Sequence, residues 1–139
     1  MATIEEITKI VMTLRKEKRF KDAELVLQSA INENAQAWQL WAQLGHVLVA
    51  IENYRRAASA FETAAELNPN GFWLWVSLGH VRKELRQIDS AIDATMKATT
   101  LDRKPHEIGF ALYNLACYSC SVGKFDEAIE YLDRAFKKD

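Results

Sequence analysis

The stretch WQLWAQLGHVLVAIENYRRAASAFETAAELNPNG, Trp38 to Gly71, decides the fold, because its residue types return at the same offsets on both sides of it. A forward step of 34 residues carries Trp41 onto Trp75, Leu44 onto Leu78, Gly45 onto Gly79, Tyr54 onto Ile88, Ala57 onto Ala91 and Ala64 onto Ala98. A backward step lands on Ile7, Ile10, Val11, Leu14, Phe20, Ala23, Leu27 and Ala30. A fourth copy begins at Gly109 after three extra residues and carries Leu112, Leu115, Ala116, Phe125, Ala128, Leu132 and Ala135. The copies are imperfect. Thr95 stands where the second copy has Phe61, Arg103 where it has Pro69, and the first copy lacks the aromatic and the glycine of its opening helix.

Small residues recur for a packing reason. At Ala23, Ala57, Ala91 and Ala128 a larger side chain would hold apart the two helices of one copy, and Gly45, Gly79 and Ala116 act likewise from the facing helix. Each of those alanines comes three positions after a bulky residue: Phe20, Tyr54, Ile88 and Phe125.

Trp41, Leu44, Gly45, Leu48, Tyr54, Ala57, Phe61, Ala64 and Pro69 together resemble the tetratricopeptide repeat (TPR), whose period is 34 residues. The resemblance covers nearly the whole chain, as repeats at about 4–37, 38–71, 72–105 and 109–139 of a single TPR domain spanning 1–139. It implies an all-α fold, a right-handed α-α superhelix (a TPR solenoid) of about eight helices in four helix-turn-helix repeats. Such stacks need roughly three or more repeats for stability, because each helix pair hides its apolar face only against its neighbours.

Composition fits and narrows the function. The 49% hydrophobic fraction is ordinary for a globular protein. A net charge of −1 gives no general attraction to nucleic-acid phosphates or anionic membranes, so neither is expected as a partner. No apolar run approaches a membrane span, and the opening MATIEEITK is acidic where a secretory signal is basic and then apolar. With two cysteines three apart and no others, a secreted disulfide framework is not expected, and a reduced, cytoplasmic location is.

The apolar spacing predicts helices over Ile4 to about Lys16, Lys21 to Ile31, Ala37 to Ile51, Arg55 to Leu67, Phe72 to Leu85, Asp89 to Leu101, Pro105 to Ser121 and Asp126 to Phe136. Asn53 is the expected left-handed residue between the third and fourth helices, and Asp89 the expected cap of the sixth. Pro105 suits a first helical turn, Gly123 the αL position after the seventh helix, and Lys137 and Lys138 the negative end of the last.

The resemblance also implies where ligands bind: the first helix of each pair lines a concave groove, with the second, fifth, sixth, ninth and twelfth positions of each unit facing it. Carried over, these positions include Trp73 and Phe110, Val76 and Tyr113, Gln43 and Asn114, His46 and His80, and Lys83. Trp73, Val76, Phe110 and Tyr113 would form an apolar and aromatic platform, with His80 and Asn114 adding directional hydrogen bonds. Against this, Trp73 and Phe110 are residues of a kind that also packs between neighbouring repeats, as Trp41 and Trp75 are expected to do.

The resemblance implies a protein-protein interaction scaffold or adaptor, without enzymatic activity, that binds a peptide segment of a partner protein. The chain departs from the TPR proteins that clamp a chaperone's C-terminal carboxylate, since Thr8, Met12, Gln43, Trp73 and Ser77 stand where that clamp carries lysine, arginine and asparagine. Cys117 and Cys120 share a helix face and with His80 offer three zinc ligands on paper. No second paired-ligand motif accompanies them, so neither metal nor cofactor is expected. The alternative function is structural assembly or self-association, such as a weak homodimer or attachment within a larger protein. It would act through an uncapped C-terminal helix bearing Ile129, Tyr131, Leu132 and Phe136.

Overall fold

The computed structural model of the chain describes residues 2–137, so Lys138 lies outside the described residues. Among them the backbone forms eight helices: α1 (Ile4–Lys16), α2 (Phe20–Glu33), α3 (Trp38–Ala50), α4 (Tyr54–Leu67), α5 (Phe72–Glu84), α6 (Ile88–Thr99), α7 (Pro105–Ser121) and α8 (Phe125–Ala135). The fold is an all-α helical repeat, and the sequence-based boundaries agree to within two residues. The chain divides into two compact units, Met1–Pro69 with α1 to α4 and Asn70–Asp139 with α5 to α8.

Each hairpin turns by the same device. Lys18, Glu52, Arg86 and Gly123 all have positive φ, between 59° and 79°, and they recur with the period of the repeat. The residue after each one reaches back to the preceding helix: Arg19 N–H donates to Leu14 C=O, Asn53 to Leu48, Gln87 to Arg82 and Lys124 to Ser119, at 2.8–2.9 Å. A left-handed residue with that return bond after it is a Schellman termination, which satisfies carbonyls otherwise orphaned at a helix end. The left-handed residue of the second hairpin is therefore Glu52 and not Asn53. Asn53 has φ −89° and caps α4, its side chain accepting from Arg56 N–H at 3.3 Å. The capping role expected of Asp89 also fails: the residue before α6 is Gln87, which makes no side-chain cap, and Asp89 lies in the first turn, 3.5 Å from the Lys124 ammonium. Asp89 misses the cap because α6 begins one residue before it, at Ile88. A glycine marks the αL position only in the fourth hairpin, and the other three spend conformational strain there instead.

The paired helices meet through small residues. Ala23, Ala57, Ala91 and Ala128 are all fully buried, as the repeat requires. A Cβ added to Gly45 would sit 2.7 Å from the Phe61 ring, and one added to Gly79 would overlap Thr95 Oγ1. Thr95 thus takes the place of the missing aromatic, and its buried hydroxyl is satisfied by donating to Ala91 C=O at 2.8 Å. The linker before α7 compensates for its missing proline with Arg103, which pairs with Glu107 and lies 5.0 Å from the Phe72 ring centroid. The Glu107 carboxyl, held below its ordinary pKa chiefly by that bond, also accepts from the Lys104 N–H.

Glu52→Gly and Arg86→Gly should each raise stability by roughly 0.5–1 kcal/mol, and Gly123→Ala should lower it by about 1 kcal/mol, in urea unfolding. A lowered midpoint for both glycine variants would remove the strain argument. Gly79→Ala should cost about 1–3 kcal/mol, since Thr95 must leave its rotamer or the helices must part. Thr95→Ala in that background should recover part of the loss, and a purely additive double variant would show that the two residues do not compete for space.

Candidate peptide-binding surface

In the second unit, α5 and α7 present neighbouring faces. Phe72 is fully buried and fixes the start of α5, and Trp73 stacks edge-on against it at 4.8 Å between ring centroids. Trp73 itself remains about half exposed and lies 5.8 Å from the Phe110 ring, which is exposed to the same degree, as is Tyr113. Helical geometry explains the grouping: Phe110, Tyr113, Asn114 and Cys117 succeed one another at spacings of three, one and three on α7, and Trp73, Ser77, His80 and Lys83 at spacings of four, three and three on α5. His80 and Lys83 are exposed, Asn114 is half-buried, and the Lys83 ammonium lies 3.1 Å from Glu84.

Val76 departs from the expected platform. It is buried in a cluster with Phe72, Ala98 and Ala111, so the fifth position of this repeat serves the packing of α5 against α7. Its counterpart Tyr113 is exposed. Trp41 and Trp75 are half-buried: the indole N–H of Trp41 donates to Ala35 C=O at 2.8 Å, and the Lys97 ammonium sits 4.5 Å above the Trp75 ring.

In the first unit, Gln43 is half-buried and joins α3 to α1, its Nε2 donating to Thr8 Oγ1 at 2.8 Å while Thr8 donates to Ile4 C=O. Gln43 Oε1 is buried without a hydrogen-bond partner, which normally costs about 1–3 kcal/mol. His46 stands edge-on to Phe61 at 5.0 Å between ring centroids. Desolvation there, and then the Arg15 charge, hold its pKa below 6.5. A further concavity of about 760 Å³ lies over α1, lined by Lys9, Met12, Arg15, Lys16, Phe20 and Ala50. Lys16 and Phe20 fall outside the groove positions that the repeat pattern supplies; Lys16 reaches Met12 one turn along α1, and only the fold places Phe20 of α2 beside them.

Cys117 and Cys120 are exposed free thiols. Among the described residues no three of His, Cys, Asp and Glu stand together closely enough to hold a metal ion. No helix among them is long and apolar enough to cross a membrane.

Comparison with known families matches the tetratricopeptide repeat over residues 39–70 and 74–105, and again over 111–139. The chain belongs to the tetratricopeptide repeat family. Its first hairpin lies outside the matched residues, in keeping with its missing aromatic and glycine. Curated protein sequences include no match to this TPR chain. Among solved structures it is similar to a crystal structure of MamA, at 23% identity and a TM-score of 0.86, over 96% of this chain and 76% of that one. MamA from Desulfovibrio magneticus RS-1 is similar at 20% identity and a TM-score of 0.80, over 96% and 77% of the two chains. The AMB-1 form of MamA is similar at 22% identity and a TM-score of 0.80, over 99% and 79%. At these identities the likeness establishes the fold. Membership in the family establishes a protein-protein interaction scaffold in general terms.

The lowered His46 pKa makes a signed prediction. Below about pH 6.5 the unfolded chain binds a proton that the folded chain resists, so this residue lowers stability as pH falls through 6.5 and stops doing so below its folded pKa. Arg15→Gln should raise the His46 pKa, measured by NMR titration of the imidazole. An unchanged value would assign the whole shift to desolvation.

Proposed function

We propose that the chain is a non-enzymatic adaptor that binds a peptide segment of a partner protein through the exposed face of α5 and α7. The observation that carries this reading is the trio Trp73, Phe110 and Tyr113, three large aromatics left half exposed on adjoining helices. Aromatic side chains dominate peptide-accepting surfaces because they bring large apolar area at low entropic cost. The preferred ligand is therefore a segment with aliphatic or aromatic anchors, oriented by His80, Asn114 and Lys83. Gln43 and His46 extend the same role to the first unit. Burying each anchor contributes roughly 1.5–3 kcal/mol, so two or three support micromolar affinity after the cost of association. The free thiols and near-neutral charge support a cytoplasmic setting and no role in nucleic-acid or membrane binding.

A separate reading, assembly through α8, is favoured by the exposure of Ile129 and Phe136 at that end. Tyr131 and Leu132 contribute less to it: both are half-buried, and Tyr131 packs against the core cluster around Leu112.

Selection from a displayed peptide library should enrich sequences with apolar anchors. Replacing Trp73 and Tyr113 together by Ala should weaken a selected peptide at least tenfold in fluorescence polarisation, with the helical circular dichroism unchanged. Undiminished affinity in that variant would discard the site.

A further inference from the structure

Comparing equivalent positions of the repeat singles out Trp41. A step of 34 residues carries Trp41 onto Trp75 and Thr63 onto Lys97. In the second unit those two residues meet: the Lys97 ammonium sits 4.5 Å from the centroid of the Trp75 ring, attracted by the negative face of the indole. In the first unit the residue at the lysine's place is a threonine, which is uncharged and too short to cover a ring. A crevice of about 220 Å³ lies there instead, bounded by Gln28 of α2, by Trp41, Leu44 and Leu48 of α3, and by Ser59 and Thr63 of α4.

We infer that this crevice receives the side chain of a lysine from a partner protein, with the ammonium over Trp41. The site lies wholly within the first unit and shares no residue with the peptide surface on α5 and α7. Its parts match the ligand one by one. The Trp41 indole N–H donates to Ala35 C=O at 2.8 Å, which ties the polar edge of the ring to its own chain and leaves the π face as what the ring offers a cation. Leu44 and Leu48 follow Trp41 at spacings of three and four, an apolar strip about 10 Å long on which a four-carbon stem can lie. The Thr63 hydroxyl donates to Ser59 C=O at 3.1 Å, so its proton is committed and it meets a ligand as an acceptor. An ammonium is the complement, since it has three donors and no acceptor. The Gln28 amide oxygen and the Ser59 hydroxyl supply further acceptors on the rim. Arg56 also lines the crevice, but its guanidinium is bound to Glu24 at 2.8 Å, and it stands seven residues, about 10 Å, along α4 from Thr63. Its charge is compensated and remote from the Trp41 end. Lys97 decides for lysine among cations, because the same fold already seats its ammonium on the equivalent ring.

The test uses the full chain labelled with ¹⁵N and follows the indole N–H resonance of Trp41, assigned by its loss in Trp41→Phe. Nα-acetyl-lysine methylamide should shift that resonance saturably, in the millimolar range expected of one side chain. The norleucine analogue keeps the stem without the ammonium, and the Nε-acetylated analogue keeps the length without the charge; each should bind at least fivefold more weakly. Thr63→Lys, at a position whose counterpart already carries lysine, should abolish the shift by supplying a resident cation, whereas Trp73→Ala should leave it unchanged. The absence of a saturable shift, equal binding of the norleucine analogue, or a response that survives Thr63→Lys overturns the inference. Putrescine binding at least tenfold more tightly than the lysine analogue would hand the crevice to a free diamine and overturn the partner assignment.

Discussion

The close approach of two helices across a missing side chain is the constraint on which this molecule depends. Gly45 lies against the Phe61 ring and Gly79 against Thr95, at distances that leave no room for a methyl group. Ala23, Ala57, Ala91 and Ala128 hold the reciprocal positions at zero or nearly zero exposure. Interiors are packed to crystal-like density, so an ångström of separation here would be felt along both helices of the pair. Thr95 shows how strongly the constraint operates. A residue that breaks the aromatic pattern is still accommodated, because its small volume and self-satisfied hydroxyl suit a glycine partner.

Once a hairpin is built in this way, its outward surfaces have two fates. Positions that meet another helix become core, as Val76 and Ile92 do, and positions that meet solvent stay exposed, as Trp73 and Phe110 do. The choice depends on whether a further helix stacks on that face and not on the residue type. Tyr113 and Val76 occupy the same place in the repeat and differ sevenfold in exposure, 49% against 7%, because α7 covers one and no described helix covers the other.

Much of this was legible in the linear pattern. Eight helices, their boundaries and the four buried alanines come from spacing, whereas the exposure of Trp73 and Phe110 is what the family resemblance implies, weighed against packing between repeats. The misplaced details share an origin in tertiary context. Asn53 and Asp89 have the side chains that favour turns and caps, yet the period of the repeat assigns the left-handed position to Glu52 and the cap of α6 to Gln87. Local propensity is worth a few tenths of a kcal/mol to about 1 kcal/mol, and hairpin packing overrides it.

What the amino-acid order determined by itself was the repeat: apolar spacing forces helices, and large residues facing small ones force those helices into pairs. What only the tertiary structure decided was which surfaces stay open. Val76 moved from the expected binding face into the core, and Phe20 at the start of α2 joined Met12 of α1 around a concavity. Pairing is written in short-range spacing, whereas exposure is a property of everything that packs nearby, and a periodic sequence repeats the first without specifying the second.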